Sequence, residues 1–128
     1  MDYYFSKILE TSFDEAVEKT VEALKTEGFG IISEINLHEK IKEKLNVDFR
    51  QYKILGACNP SYAYKALQAE DKIGTMLPCN VIVQELSKNR IEIAAVNPIA
   101  SMVAVQNPAL ENIAQEVTSN LQSAIKSL

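Results

Sequence analysis

Hydrophobic and polar positions follow two rhythms along this chain. From Ser12 to Gly28 the rhythm is helical. Phe13, Ala16, Val17, Val21 and Leu24 recur three and four residues apart, with Asp14, Glu15, Glu18, Lys19 and Glu22 between them. Ser12 and Glu15 stand at capping-box spacing, and Gly28 sits where left-handed backbone ends a helix. A second helical seam runs through Leu110, Ala114, Val117, Leu121, Ala124 and Leu128, widened by Ile113 and Ile125. It predicts a long final helix from Pro108 to Leu128.

Between these helices the period drops to two, which is the rhythm of strands. "YYFSKI" reads as a strand, and so does "FGIISEI", with Phe29, Ile31 and Ile35 on one side. Tyr52, Ile54 and Cys58 share a face of "FRQYKILGAC". Leu77, Cys79, Val81 and Val83 share one of "MLPCNVIVQE", and "IEIAAV" is the return strand after a hairpin turn at "SKNR". Leu37, Ile41 and Leu45 mark a short amphipathic helix. Pro60 suits the first turn of another, which packs Ala63, Ala66 and Leu67 and stops near Gly74. Pro78 cannot donate to a ladder and marks a strand start, an edge or a bulge. Asn97-Pro98 and Asn107-Pro108 read as stops that can also cap helices. The pattern predicts one α+β domain over residues 1–128, a mostly antiparallel sheet with helices on one face.

Composition narrows the function classes. At 128 residues, 47% hydrophobic and 23% charged, the chain can bury a core without disulfides or a structural metal. A net charge of −4 argues against a nucleic-acid partner, which calls for a basic face. The densest basic run, "HEKIKEK", alternates with glutamates and reads as a solvated helix face that carries His38, the single histidine. No stretch approaches the roughly 18 apolar residues of a membrane span. The first residues lack the basic and apolar regions of a signal peptide. The expectation is a cytoplasmic protein with reduced thiols. No nucleophile elbow, phosphate-binding glycine loop, zinc-binding helix motif or dinucleotide fingerprint occurs. Catalytic residues, metal ligands and cofactors are therefore not assigned.

Both cysteines precede an asparagine, in Cys58-Asn59-Pro60 and in Pro78-Cys79-Asn80. Three readings stay open for these six residues. The thiols can be small core residues, as free cysteine often is. They can floor a ligand pocket, with the asparagines offering donors and acceptors and a helix start beside Cys58. Or they can do thiol or soft-metal chemistry, with Met76 and Met102 as further sulfur ligands for an ion such as Cu(I). Two thiols alone fall short of a four-ligand zinc site. Tyr62 and Tyr64 are candidate rim residues.

The run "GACNPSYAYKAL…IGTMLPCNVIVQE" resembles the family catalogued as domain of unknown function 302. Gly56, Cys58, Asn59, Pro60, Ala66, Leu67, Gly74, Leu77, Pro78, Cys79, Asn80 and Val83 carry the resemblance. "VNPIASMVAVQNPAL" is similar to it too, with Asn97 standing where the family is associated with an aspartate. The resemblance implies a TATA-box-binding-protein-like fold (β-α-β4-α) and small, uncharacterised, dimeric bacterial or archaeal proteins. It carries no DNA-binding implication, because fold does not fix function. The charge-free run "PIASMVAVQ" reads either as a buried segment or as a patch that a second subunit covers. The leading expectation is a homodimeric binding or accessory module with an unknown small ligand at the two Cys-Asn elements. The alternatives are a thiol-dependent enzyme or soft-metal handler using Cys58 and Cys79, and a structural subunit without ligand.

Overall fold

The structure, a computed structural model, describes residues 2–128. Helix α1 (Phe13–Thr26) starts where the cap signal lies: Ser12 Oγ accepts the Glu15 N–H at 3.2 Å. The Glu15 carboxylate pairs with Lys19 at 3.3 Å. Gly28, at φ +87°, turns the chain out of the helix. Helix α5 (Glu111–Lys126) buries Ala114, Val117, Leu121, Ala124 and Ile125 along the expected seam. It begins three residues later than the periodicity suggests, because Asn107 caps a 3₁₀ turn over Pro108–Leu110.

The strands are β1 (Tyr4–Leu9), β2 (Gly30–Asn36), β3 (Tyr52–Cys58), β4 (Cys79–Ser87) and β5 (Arg90–Val96). They form one sheet in the order β1-β5-β4-β3-β2, and every pair is antiparallel. The fold is α+β. The remaining helices are α2 (Leu37–Leu45), α3 (Pro60–Ala69) and the short α4 (Pro98–Ser101), with a 3₁₀ segment at Asp71–Met76. Asn89 takes the left-handed conformation in the β4–β5 hairpin. No helix of the described residues is long and apolar enough to cross a membrane.

Helices α1 and α5 cover one face of the sheet. Leu55 and Ala57 of β3, Val81 and Val83 of β4, and Ile91, Ile93 and Ala95 of β5 point into that layer and are all but fully buried. They join Phe13, Ala16, Leu24, Phe29 and Leu121 in one core cluster. Thr118 Oγ1 is buried without a hydrogen-bond partner among the described residues.

Some local expectations change. Helix α3 ends at Ala69 rather than near Gly74, and its Leu67 is 43% exposed. A bulge between Ile31 and Ser33 shifts the β2 register, and one extra residue reverses which face follows. Ile31 still packs on the core, but Ile35 lands on the opposite face, 42% exposed. His38 is not simply solvated. Its Nδ1 accepts the Tyr52 N–H at 3.0 Å, and its ring stands edge-on to Phe13, 6.3 Å between centroids. The imidazole therefore ties α2 to the start of β3.

Candidate functional site

The antiparallel pairing of β3 with β4 brings the two Cys-Asn elements to the same end of the sheet. Ala57 lies opposite Cys79, and Cys58 follows Ala57 on the strand. Cys79 faces the helix layer and is buried. Cys58 is half-buried. It ends β3, where the chain leaves the sheet for α3, and borders the same pocket as Ala57 and Cys79.

Both cysteines line one apolar pocket with Asn59 and Pro78. Phe29 and Ala57 form the sheet side, Tyr62, Ala63 and Ala66 come from α3, and Ile113, Ala114 and Val117 flank the pocket on the α5 side. Leu77 and Met102 complete it. Four alanines leave the space. Its free volume is about 40 Å³, room for a couple of waters or one small group and far below the few hundred Å³ of a metabolite-sized site.

The six candidate residues divide. Asn59 Oδ1 accepts the Ser61 N–H at 3.2 Å, and the Asn59 carbonyl accepts the Ala63 N–H at 3.0 Å. Pro60 brings no N–H to the first turn. Thus most donors at the start of α3 are already spent, and little is left there for an anion. The Asn59 amide also lies against Gly28, where an added Cβ would stand 2.9 Å from Nδ2. Pro78, preceded by a cis peptide, sits at the entry to β4 and packs toward Gly56. Asn80 does not join the pocket. It points to the other face of the sheet, exposed, where it lines a shallow hollow with Tyr4, Tyr52, Ile82 and Gln84.

Of the other sulfur candidates, Met102 lines the pocket beside both cysteines, and Met76 does not. Tyr62 is part of the wall, whereas Tyr64 is 66% exposed and turned away. The sequence signals missed Phe29, Ala63, Ile113 and Val117. Their helical or strand periodicity marks them as apolar, but only the packing of α3 beside α5 shows that they border a gap.

The family model for domain of unknown function DUF302 matches residues 5–128. The chain belongs to the DUF302 family. A crystal structure of an uncharacterized conserved DUF302 protein from Bacillus stearothermophilus is similar, with a TM-score of 0.89 and 28% sequence identity over 98% of each chain. No curated protein matches the chain. In this DUF302 chain Asn97 is buried and uses both ends of its amide. Oδ1 accepts the Ile99 N–H at 3.1 Å and caps α4, while Nδ2 donates to the Asp2 carbonyl at 3.1 Å. A carboxylate could do only the first, so asparagine here is a structural clamp between α4 and the residues before β1.

Burial pushes the Cys79 thiol up from an ordinary 9.0 to about 11, and the neighbouring Cys58 adds to the shift. At neutral pH Cys79 is a protonated thiol, not a nucleophile. The unfolded chain gives up this proton earlier than the folded one, so it binds fewer protons between those two values. Stability contributed by the thiol is present below pH 9.0 and is lost as pH rises toward about 11. Urea unfolding at about pH 8 and about pH 10.5 is expected to show a loss of about 2 kcal/mol from this group. Cys79→Val is expected to lose that much less over the same interval. Equal losses in both proteins would contradict the shift.

Proposed function

We propose that this protein is a small binding module, a single cytoplasmic domain working as a homodimer, whose ligand site is the pocket between α3, α5 and the paired ends of β3 and β4. One observation carries the reading: four alanines leave a gap beside two free thiols. Its apolar wall and free volume of about 40 Å³ select a small apolar group, such as the methyl, thioether or short alkyl end of a ligand whose polar part stays outside. Cys58, Asn59, Pro78 and Cys79 border that group, and Pro60 shapes the helix start beside it. Asn80 serves the other face. Enzymatic use of the thiols gains no support, since Cys79 is protonated and His38 lies on the Phe13 and Tyr52 side of the molecule.

The test is a thermal-shift titration with short thioethers and short-chain alcohols, run on the native protein and on Ala63→Leu. Leucine at this half-buried wall position fills the gap from α3. The native protein is expected to gain melting temperature in proportion to log ligand concentration at saturation, and Ala63→Leu to lose most of that gain while staying folded by circular dichroism. Equal shifts in both proteins, or none in either, would sink the pocket reading. Soft-metal handling is the second reading, favoured by the meeting of Met102 with both cysteines at one pocket. Competition for Cu(I) against a chromophoric chelator separates it from the first.

A further inference from the structure

Met102 and Ala114 wall two spaces at once. Besides the gap at the cysteines, they line a surface hollow of about 520 Å³ between the α4 segment and the start of α5. The charge-free run after Asn97 builds the outer wall of this hollow. Pro98 and Val105 turn inward, the first fully buried and the second packed on the small cluster of Ala66, Ile73 and Leu110. Ile99, Met102, Val103 and Gln106 follow the spacing of one helical face and line the hollow. The inner gap alone takes a methyl-sized group. The hollow has the size of a small-molecule site, which runs from about 300 to 1,000 Å³. Met102 stands between the two, and its unbranched side chain is the kind that repacks most readily.

Charge at the hollow has one sign. From Pro98 to Ile125 the chain carries two carboxylates, Glu111 and Glu116, and no Lys or Arg. Glu111 is exposed and lines the hollow, as do Gln106 and Gln115. Asn107 holds a further carboxylate nearby: its Nδ2 donates to Glu70 Oε1 at 3.2 Å and to the Ala69 carbonyl at 3.0 Å. Lys72, two residues beyond Glu70, stands 3.6 Å from Asp71. The approach to α5 has no spare amide for an anion. The Ala109 N–H goes to Asn107 Oδ1, the Leu110 N–H to the Asn107 carbonyl and the Glu111 N–H to the Pro108 carbonyl.

We propose that the hollow and the inner gap are two halves of one site, whose ligand is a small primary amine with a short apolar tail. The ammonium sits at Glu111 and shares its three N–H donors with the side-chain oxygens of Gln106 and Gln115. The tail passes Met102 and ends in the gap beside Cys58 and Cys79. Glu111 and Ala114 are three residues apart on α5, about 4.5 Å along the axis, so a tail of about five carbons reaches from one space into the other. This rests on the pocket reading above and adds the ligand's charge and its path.

The experiment follows backbone amide NMR shifts of the full chain at low ionic strength during titration with pentylamine, pentanol and pentanoate. These share one tail and carry a cationic, a neutral and an anionic head. Pentylamine is expected to move the amides of Cys58 and Ala63 at the gap together with those of Met102, Glu111 and Gln115 at the hollow. Its affinity is expected to exceed that of pentanol about 3-fold, the scale of one solvent-exposed charge pair, with pentanoate the weakest. Glu111→Gln is expected to bring pentylamine down to the affinity of pentanol and to leave pentanol unchanged. Gln115→Glu, a second exposed carboxylate on the same wall, is expected to strengthen pentylamine alone. Both variants change surface residues, and both effects are expected to shrink at about 0.5 M salt. Shifts confined to Cys58 and Ala63, with no preference for the amine and no response to Glu111→Gln, would keep the pocket reading and overturn the two-part site. Tighter binding of pentanoate than of pentylamine would overturn the amine and leave the inner pocket standing. No shift with any of the three would overturn both readings.

Discussion

Phe29→Ala is expected to lower the unfolding free energy by about 3–5 kcal/mol, the range for deleting a buried aromatic ring. Phe29 leads the fully buried side chains by volume and is 2% exposed. Gly28 places it there: the left-handed turn after α1 aims the next residue back under the helix, and the Phe29 N–H closes onto the Leu24 carbonyl at 2.9 Å. The ring also walls the pocket beside Cys58 and Cys79. Removing it joins a new void to an existing one, which leaves the neighbours less able to collapse inward, so the cost belongs at the upper end. Urea denaturation reads this as a lower midpoint with the slope nearly unchanged. A loss under about 1 kcal/mol would mean that the ring does not hold the core.

Gly56→Ala is the second large effect, and it acts on the other face of the sheet. Gly56 is buried in the middle of β3 without unusual backbone, so the need for glycine is one of space. A Cβ there would collide with Ser33 Oγ and come within 2.7 Å of Pro78 Cγ. The serine hydroxyl can rotate away at little cost. The proline ring cannot, because it is fixed where the chain enters β4. The strands must therefore part or Pro78 must shift, and overpacking of this kind costs about 1–3 kcal/mol. Chemical denaturation measures the loss, and Gly56→Ala combined with Ser33→Gly is expected to recover only the serine's share. Full recovery in the double variant would show that Pro78 does yield.

These two sites show how far the sequence reaches. Local chemistry spoke clearly for the elements: Ser12 and Gly28 bounded α1, the 110-to-125 seam named the buried face of α5, and Asn89 marked the hairpin. Helix caps, left-handed turns and amphipathic periods depend on residues within a turn or two of one another, so they survive translation from sequence to structure with small errors. The family was legible in the same way, because its motif is a run of ordered residues from Gly56 to Val83. The α+β class followed from the order of the two rhythms.

What the tertiary structure alone decided depends on strands that meet across long stretches of chain. One extra residue in β2 turned Ile35 to the opposite face, and no propensity marks that bulge. His38 stands in a charged run, yet it bonds Tyr52 fourteen residues away. Period two sends Cys79 and Asn80 to opposite faces, but only the packing of α1 and α5 on one side makes the first a pocket residue and the second a surface one. The two Cys-Asn pairs look equivalent in the sequence. They differ because the first ends a strand and caps a helix, whereas the second begins a strand that is buried on one face and bare on the other.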